Sequence, residues 1–277
     1  MRVLIAAGGT AGHINPALAI AGALKAADPA AEIHFAGRKE GMEYGLVTKA
    51  GYPFHHIEIN GFQRKPTLKN VGRNVVALYH LALSGPRTAA ILKEVRPDLV
   101  IGCGGYVSGP VVRAAAKKGI KTAIHEQNAF PGVTNKLLAK DVDVVFAASA
   151  AAVEKLGAPE KTLVVGNPVR PEILNRDRAA ARAAVHAGDR TVILSFGGSL
   201  GADPGANLVV KEYIDNMPDL LAAADLVISS SGALTLAELE AMGRASILIP
   251  SPNVAENHQY YNALELQNAG AAIVIEE

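Results

Sequence analysis

Short apolar runs rich in β-branched residues alternate, in the first half of the chain, with segments whose apolar positions follow a helical period. This alternation is typical of βαβ units and parallel sheets. The predicted strands are Val3–Ala7, Glu32–Ala36, Leu99–Gly102, Lys121–His125 and Val142–Ala147, and the first helix is predicted at Pro16–Ala27. The pattern therefore predicts an α/β domain with a parallel sheet.

The second half begins the same alternation again. Its predicted strands are Thr191–Phe196, Leu226–Ser229, Ser246–Pro250 and Ala272–Ile275. Between the halves, the stretch from Gly166 to Pro171 carries the glycine and proline spacing of an interdomain connection. We therefore expect two domains, residues 1–165 and 166–277.

One place breaks the alternation. Only Gly197–Leu208 separates the strand Thr191–Phe196 from the next predicted strand, Val209–Ile214, and Asp203-Pro204-Gly205 within it is a turn signal. A parallel crossover needs about a dozen residues, usually with a full helix. The second domain is therefore predicted to lack a helix–strand–helix, and no closing helix follows its last strand. An incompletely recorded sequence, a deliberate deletion and a degenerate copy all account for the gap.

The composition is that of a folded globular protein. Hydrophobic residues make up 49% and charged residues 19% of the 277 residues. The longest apolar runs are too short to span a bilayer, and Val3–Ala7 has the pattern of a buried strand rather than a signal peptide. The single cysteine, Cys103, excludes an internal disulfide and fits a reducing compartment. We therefore expect a cytoplasmic location.

The net charge of +1 conceals an asymmetry between the halves. Residues 1–140 contain 18 Lys and Arg against 8 Asp and Glu, whereas residues 141–277 contain 9 against 18. A basic first half is attracted to anionic lipid or to a pyrophosphate. The alternative is that both halves carry ordinary solvated charged faces.

Three glycine-rich turns each follow a predicted strand and open a helix. They are Gly8–His13, Gly104–Pro110 and Gly197–Ala202. Glycine lets the backbone approach an anion closely, and the exposed N–H groups and the helix dipole favour negative charge. One such loop is a weak signal, whereas three at equivalent points of two lobes are a stronger one. None has the G-x-G-x-x-G spacing, which argues against a nicotinamide-dependent dehydrogenase.

The order and content of these motifs resemble the MurG family. The residues that carry the resemblance are Gly8–His13, Gly104–Pro110, His125–Asn128, Gly166–Arg170, Gly197–Ala202, Ser231–Thr235 and Pro250–Ala263. The resemblance extends along essentially the whole chain. It implies the α/β GT-B glycosyltransferase fold, with two Rossmann-like, doubly wound parallel-sheet lobes facing across a cleft. It also implies transfer of N-acetylglucosamine from UDP-N-acetylglucosamine to undecaprenyl-pyrophosphoryl-muramoyl-pentapeptide, the lipid-linked precursor of peptidoglycan.

The resemblance implies a set of donor-binding residues, which are Thr10, Gly12, Asn128, Arg170, Ser199, Ile214, Glu238, Gln259 and Asn262. Ser199 and Arg170 would hold the diphosphate, and the backbone of Ile214 would bind the uracil. Glu238 would accept both ribose hydroxyls, which suits a carboxylate with two oxygens. Gln259 and Asn262 share a helix face and would contact the sugar. The alternatives are an ordinary helix carboxylate for Glu238 and a solvated helix surface for Gln259 and Asn262.

For the acceptor, the resemblance implies binding by Gly104, Tyr106 and Ser108, and an inverting attack of the 4-hydroxyl on the anomeric carbon. Inversion requires a base on the acceptor side. His13 is the first candidate, because histidine titrates near neutral pH and this one lies in a glycine loop. His125 and Glu126 are the other candidates for the catalytic base. A structural role for His13, in capping its helix or orienting the loop, is an open alternative.

No metal or other cofactor is expected. The pair Asp141 and Asp143 resembles a Mg²⁺-binding D-x-D, but it immediately precedes a buried strand of the acceptor lobe. The side chains of His55 and His56 point in opposite directions on a strand and form a poor chelate. The resemblance also implies a metal-independent donor site. Ser230 stands where the family usually has arginine, which removes a cation near the uracil.

The segment Val71–Leu83 predicts membrane contact. Its apolar positions are flanked by basic residues, namely Arg64, Lys65, Lys69, Arg73 and Arg87. Such a helix fits shallow docking on an anionic membrane surface, here the cytoplasmic face of the cell membrane. The alternative is a helix buried in the first domain. No nucleic-acid partner is expected.

Two other functions stay open at this point. A UDP-N-acetylglucosamine 2-epimerase has the same architecture and no lipid acceptor, and the basic apolar segment argues against it. A non-catalytic remnant of the transferase gains support from the short second domain.

Overall fold

A computed structural model describes residues 1–59, 61, 68–169, 171–197, 214 and 216–276, and for residues 68–79, 81, 82, 171 and 255 the backbone alone. The chain forms two compact units, residues 1–167 and 168–277. The boundary lies two residues beyond the predicted one, immediately after Asn167. Within the described residues, no helix combines the length and the apolar character needed to cross a bilayer.

The first unit is built on a seven-stranded parallel sheet in the order β3-β2-β1-β4-β5-β6-β7. Its strands are β1 (Arg2–Ala6), β2 (Glu32–Gly37), β3 (Phe54–His56), β4 (Leu99–Gly102), β5 (Lys121–Glu126), β6 (Val144–Ala147) and β7 (Thr162–Val164). Its helices are α1 (Ala11–Ala27), α2 (Met42–Lys49), α3 (Leu68–Val95), α4 (Gly105–Lys117), α5 (Val133–Leu138) and α6 (Val153–Leu156). The doubly wound parallel sheet predicted for this half is confirmed.

Two apolar cores cover the two faces of this sheet. Val3 and Ile5 of β1 contribute to one core with Ile14 and Ala17 of α1. Leu4, from the opposite face of β1, contributes to the other core with residues of α3 and α4. Because both faces are covered, β1 is apolar at successive positions rather than at alternate ones, as is typical of parallel sheets.

The second unit has a four-stranded parallel sheet in the order β11-β10-β9-β8. Its strands are β8 (Ile193–Phe196), β9 (Leu226–Ser229), β10 (Ala245–Leu248) and β11 (Ala272–Val274). Its helices are α7 (Pro171–Leu174), α8 (Arg178–Ala184), α9 (Met217–Ala223), α10 (Ala233–Ala241) and α11 (His258–Asn268). Of the predicted strand Val209–Ile214, residues 209–213 lie outside the described residues, and Ile214 is not in a strand.

The first helix begins earlier than the sequence predicts. α1 starts at Ala11 rather than at Pro16, so Pro16 lies inside the helix. The preference of proline for the first helical position led to the wrong start. The correction matters for function, because it places the helix start directly at the first glycine loop.

Candidate functional site

The candidate site of the first unit lies at the carboxyl ends of β1 and β4. The strand order changes direction between these neighbours, because the chain proceeds from β1 to β2 and β3 on one side and from β4 to β7 on the other. Ligands of open parallel sheets bind in the crevice beyond the carboxyl ends at such a switch point. The first two predicted glycine loops follow these two strands, so the fold brings them together.

The first glycine loop leads from β1 into α1. Gly9 has a φ of +94°, which favours glycine. The carbonyl of Thr10 accepts the N–H groups of His13 at 3.0 Å and Ile14 at 3.2 Å. Thr10 and Gly12 are exposed, and the N–H groups of Ala11 and Gly12, which precede these two bonds, have no acceptor within the helix. An anion bound here would receive those N–H groups.

The second glycine loop packs directly on the first. Gly104 and Gly105 have φ values of +93° and +77°. A Cβ on Gly105 would lie 2.1 Å from the carbonyl oxygen of Gly8, and a Cβ on Gly104 would lie 2.6 Å from Nδ1 of His13. Because glycine alone permits this approach, the starts of α1 and α4 converge at one edge of the sheet.

The ring of Tyr106 covers one side of the first loop. A Cβ on Gly9 would lie 3.3 Å from Cε1 of this ring, and a Cβ on Gly61 would lie 3.0 Å from its Cδ1. Tyr106 is the second residue of α4 and is half-buried. This position, beside the helix starts, is the one that an acceptor-binding residue needs. The role of Tyr106 stays a prediction.

Ser108 lies beneath the loops rather than beside a ligand. It is fully buried, and its hydroxyl is 2.8 Å from both the carbonyl oxygen of Ala6 and that of Gly104. A hydroxyl has a single proton to donate, and both neighbours are acceptors. The geometry therefore shows Ser108 holding α4 to β1 and β4, and its predicted contact with the acceptor stays a prediction.

Three polar side chains form a hydrogen-bonded chain next to the two loops. Nδ1 of His13 lies 3.1 Å from Oε1 of Gln127. Nε2 of Gln127 lies 3.1 Å from the carbonyl oxygen of Cys103, and 3.0 Å from both Nδ1 and the carbonyl oxygen of His125. Nε2 of His125 lies 3.2 Å from the carbonyl oxygen of Gly166. This series of hydrogen bonds connects His13, at the start of α1, with Gly166, near the end of the first unit.

His125 is held as a neutral ring. It is 2% exposed, and burial lowers its pKa, outweighing the bond to Gly166 and the nearby Glu126, which raise the pKa. Its Nδ1 accepts from Gln127 while its Nε2–H donates to Gly166. Since both ring nitrogens are engaged, His125 loses support as a candidate base.

Glu126 organises the loop that follows β5. It is 1% exposed, and its Oε1 accepts from the backbone N–H and the side-chain amide of Asn128 at 3.0 and 3.1 Å. Its Oε2 accepts from the backbone N–H of Gly132 at 3.1 Å and from Asn135 at 2.9 Å. These four bonds use the acceptor capacity of both oxygens. Glu126 is thus a loop-holding residue, and Asn128 is positioned by it.

A buried carboxylate that the sequence did not single out lies under the first loop. Glu43 of α2 is 1% exposed, and its Oε1 accepts the backbone N–H of Arg38 at 3.0 Å. A Cβ added to Gly8, Gly37 or Gly41 would lie 2.8, 2.8 and 2.2 Å from this side chain. Three glycines therefore make room for one glutamate. Gly37 and Gly41 lie within six positions of Glu43, whereas Gly8 is distant in sequence, and no spacing signals that contact.

In the second unit, the starts of α10 and α11 are tied together. The hydroxyl of Ser231 donates to the carbonyl of Gln259 at 2.7 Å, and the amide of Asn262 donates to the carbonyl of Ser231 at 3.3 Å. Oε1 of Gln259 accepts the backbone N–H of Ser251 at 2.9 Å. Asn262 is 4% exposed, so the alternative of a solvated helix surface is wrong for it. Gln259 and Glu238 are half-buried.

The third glycine loop begins at the carboxyl end of β8. Gly197 has a φ of +107°, and a Cβ there would lie 2.9 Å from the hydroxyl oxygen of Ser230. The predicted diphosphate residues Arg170 and Ser199 lie outside the described residues. Ile214 is half-buried and packs against the apolar core of the second unit. The predicted donor-binding roles of these residues stay predictions.

The two aspartates considered for Mg²⁺ have protein partners. Oδ2 of Asp143 accepts the backbone N–H of Thr122 at 2.7 Å and its hydroxyl at 3.1 Å, and the backbone bond is the main reason for the lowered pKa of Asp143. Oδ2 of Asp141 lies 3.5 Å from Nε of Arg113. Among the residues that the structure describes, no group of three His, Cys, Asp or Glu side chains could hold a metal ion.

His55 and His56 have separate partners, and the thiol of Cys103 is enclosed in an apolar core. His55 Nε2 lies 3.0 Å from His34 Nδ1, whereas His56 Nδ1 accepts the backbone N–H of Lys39 at 3.0 Å. Cys103 is fully buried, and burial raises the pKa of its thiol to about 12. A thiol in this state is not a nucleophile at neutral pH.

Comparisons with known proteins agree with this arrangement. Residues 3–147 match the glycosyltransferase family 28 N-terminal domain, and residues 195–277 match the glycosyltransferase family 28 C-terminal domain. The chain is 41% identical to the UDP-N-acetylglucosamine–N-acetylmuramyl-(pentapeptide) pyrophosphoryl-undecaprenol N-acetylglucosamine transferase of Ruminiclostridium cellulolyticum, over 100% of this chain and 86% of the relative. That alignment spans 320 positions against 277 residues, so at least 43 positions have no residue of this chain.

Solved structures give the same architecture. MurG of Acinetobacter baumannii superposes with a TM-score of 0.74 at 28% identity, covering 99% of this chain and 86% of that chain. The UDP-GlcNAc 2-epimerase of Neisseria meningitidis, solved with UDP-GlcNAc, superposes with a TM-score of 0.64 at 14% identity, covering 100% and 87%. The second likeness is one of fold alone. The predicted GT-B fold is confirmed.

Proposed function

The chain belongs to glycosyltransferase family 28, and we propose that the adjoining helix starts of its first unit receive the pyrophosphate of a lipid-linked acceptor. Its reaction is the transfer of N-acetylglucosamine from UDP-N-acetylglucosamine to lipid-linked N-acetylmuramoyl-pentapeptide, a step of peptidoglycan synthesis. The observation that carries the acceptor assignment is the contact between Gly105 and Gly8, which brings two sets of first-turn N–H groups to one crevice.

The chemistry at this crevice is an inverting displacement. The 4-hydroxyl oxygen of the acceptor sugar forms a bond to the anomeric carbon, the bond from that carbon to the donor phosphate breaks, and UDP leaves with the electron pair. His13 takes the proton of the attacking hydroxyl. Its half-buried position at the third residue of α1 supports this role, because it lies between the two glycine loops. His125 and Glu126 hold neighbouring groups in place instead.

The donor is assigned mainly to the second unit, and the donor contacts predicted for Thr10, Gly12 and Asn128 of the first unit stay predictions. Glu238, Gln259 and Asn262 belong to α10 and α11, the helices that follow β9 and β10. Oε1 of Gln259 faces a backbone N–H, which leaves the NH₂ group of this amide as the donor for a sugar hydroxyl. The diphosphate is assigned to the third glycine loop and Arg170, because glycine lets the backbone approach an anion closely and Arg170 carries a positive charge.

The protein acts at the cytoplasmic face of the cell membrane, where it contributes to the wall that maintains cell shape and permits division. The apolar positions of 71–83 and the basic residues around them support shallow docking on anionic lipid. In α3, Thr88 and Leu92 are buried against the sheet, whereas Leu83 and Arg87 are exposed. Sedimentation with vesicles of anionic and of neutral lipid tests this location, and equal binding to both would contradict it.

The unmatched alignment positions favour a second candidate, a protein that binds donor or acceptor without turnover. At least 43 positions of the Ruminiclostridium alignment have no counterpart here. The predicted gap after Phe196 adjoins the loop assigned to the diphosphate. The experiment that tests the proposed function must therefore separate binding from transfer.

The test combines an activity assay with calorimetry. The purified chain is incubated with radiolabelled UDP-N-acetylglucosamine and lipid-linked N-acetylmuramoyl-pentapeptide in mixed vesicles, and the lipid product is identified by mass. We expect product from the wild type and from the matched control His186→Ala, which changes an exposed histidine, but not from His13→Ala. Donor binding without lipid product would support the binding-only candidate. Conversion of UDP-N-acetylglucosamine in the absence of acceptor would indicate an epimerase.

A further inference from the structure

The orientation of the Gln127 amide is determined by its surroundings. Its Nε2 lies 3.1 Å from the carbonyl oxygen of Cys103 and 3.0 Å from the carbonyl oxygen of His125. Backbone carbonyls only accept hydrogen bonds. Exchanging the amide oxygen and nitrogen would bring three oxygens together with no proton between them. The nitrogen must therefore face the carbonyls, and Oε1 must face His13.

His125 requires the same orientation independently. Its Nε2 faces the carbonyl oxygen of Gly166 at 3.2 Å, so Nε2 carries the ring proton and Nδ1 carries the lone pair. That lone pair lies 3.0 Å from Nε2 of Gln127 and needs a donor. The NH₂ group of Gln127 is this donor. Three acceptors in total thus surround the amide nitrogen.

The orientation of Gln127 decides which nitrogen of His13 carries a proton. An amide oxygen is only an acceptor, so Nδ1 of His13, at 3.1 Å, must carry the hydrogen. In a neutral imidazole with Nδ1–H, the basic lone pair is on Nε2. The ring atoms nearest to a Cβ built on Gly104 are Nδ1, Cε1 and Cγ. The Nδ1 side of the ring therefore packs against the loop, and Nε2 lies on the far side of the ring.

We propose that Gln127 is a positioning residue, which holds His13 as the Nδ1–H tautomer and so makes Nε2 the atom that accepts the proton of the attacking hydroxyl. The proposal rests on the role of His13 in the proposed function. Gln127 is 3% exposed, and its own carbonyl accepts the amide of Asn167 at 3.0 Å. Gln127 acts through His13 and is not itself placed against the reacting atoms.

The first test reads the tautomer directly and does not depend on activity. Nitrogen-15 NMR of the histidine rings distinguishes Nδ1–H from Nε2–H. We expect Nδ1–H for His13 in the wild type and loss of this preference in Gln127→Met, which has no acceptor oxygen to face His13. The control Thr122→Val removes a buried hydroxyl at the opposite end of β5 and should leave His13 unchanged.

An Nε2–H ring for His13 in the wild type would overturn the proposal whether or not the chain transfers sugar. Loss of the Nδ1–H preference in Thr122→Val as well would also overturn it, since the preference would then reflect general folding. Should Gln127→Met not fold, the wild type and Thr122→Val still decide, because a mixture of the two tautomers for His13 in either protein contradicts the role of the Gln127 oxygen.

The second test is a double-mutant cycle in the transfer reaction. General bases typically contribute about 10²–10⁴-fold, so we expect Gln127→Met to lower kcat by roughly 10–100-fold with little change in the KM for the donor. In a His13→Ala background, the same substitution should have almost no further effect, because the tautomer no longer matters. Additive losses, or a rise in KM without a fall in kcat, would mean that Gln127 is merely structural.

Discussion

The two units differ in where their glycine loops lie relative to the point at which the strand order changes direction. In the first unit, the strands that carry glycine loops, β1 and β4, are central neighbours, and the chain leaves them in opposite directions. In the second unit, the described strands follow one direction only, and β8, which carries the third glycine loop, is at the edge. Accordingly, Ile5 of β1 is 0% exposed, whereas Ile193 of β8 is 58% exposed. In the first unit, two neighbouring glycine loops border the crevice. In the second unit, the described residues place a single glycine loop at the sheet edge.

This difference teaches that a glycine loop by itself does not make a site. In the first unit, the neighbouring loop places Gly105 against Gly8 and supplies the second helix start. For the second unit, the described part of the chain supplies α10 and α11 from the far side of β9. Four predictions test whether the units differ in function and packing as this comparison requires.

The largest expected effect separates catalysis from donor binding. His13→Ala should lower kcat by roughly 10²–10⁴-fold, because a general base is removed, and should leave the donor affinity unchanged. Glu238→Gln in the second unit should instead weaken donor binding, because one ribose acceptor becomes a donor. Steady-state kinetics and calorimetry with UDP-N-acetylglucosamine measure the two effects. Equal losses of donor affinity in both variants would remove the functional distinction between the units.

A backbone contact tests the packing of the first unit. Gly105→Ala should destabilise the fold by about 3 kcal/mol or more, because the left-handed φ costs roughly 1–2 kcal/mol and the Cβ also meets the Gly8 carbonyl. Gly119→Ala is the matched control, since Gly119 has a φ of +71° and open space around its Cβ position. Urea unfolding of both variants gives the comparison. Equal destabilisation would show that the loops do not touch.

A pH dependence follows from His125. Burial holds its folded pKa below the ordinary 6.5, so the unfolded chain binds a proton at a pH where the folded chain does not. Stability is therefore complete above pH 6.5 and declines as the pH falls towards the folded pKa, by up to about 1.4 kcal/mol per pH unit. Chemical denaturation between pH 7.5 and 5.5 measures this slope. His125→Gln should reduce this slope without abolishing it, because burial also lowers the pKa of His55, whereas the exposed His186→Gln should leave the slope unchanged.

The smallest expected effect lies at the edge of the second sheet. Ile193→Thr should change the free energy of unfolding by no more than about 0.5 kcal/mol, as for other exposed positions. Ile5→Thr, in the centre of the first sheet, should cost about 3 kcal/mol, because it buries a hydroxyl and loses apolar contacts. A cost above 2 kcal/mol at Ile193 would mean that other residues of the chain cover β8.

Much of the fold followed from the sequence because parallel strands buried on both faces are continuous apolar runs. The bounds Leu99–Gly102 and Leu226–Ser229 agree with β4 and β9. The short edge strand β7 is not predicted and β3 is recognised only through the pair His55 and His56, since three residues provide too little pattern. The sequence predicts the start of α1 five residues too late, because proline prefers the first helical position and Pro16 was taken as that position.

The site was predictable to the level of segments, not of roles. The sequence identifies the glycine loops and His125–Asn128, but it does not show that Ser108 bonds to Ala6 or His125 to Gly166, because these partners are distant in sequence. The partners of Glu126 lie within nine positions of it, and the predicted roles of all three residues stay predictions. Gln127 was hidden for the same reason, since its neighbours His13 and Cys103 are 114 and 24 positions away. Contacts in the folded chain decide which group donates and which accepts each hydrogen bond, and the spacing of residues in the sequence does not predict this.

The enclosure of Glu43 by Gly8, Gly37 and Gly41 bears on how this protein can evolve. Alanine at Gly41 would meet Glu43 alone, since the three atoms nearest to its Cβ all belong to that side chain. Alanine at Gly8 or Gly37 would also meet Val107 at 2.9 Å or Phe54 at 2.8 Å. Shortening Glu43 to aspartate therefore makes room at Gly41, whereas a change at either of the other two glycines also requires an adjustment of a neighbouring apolar side chain.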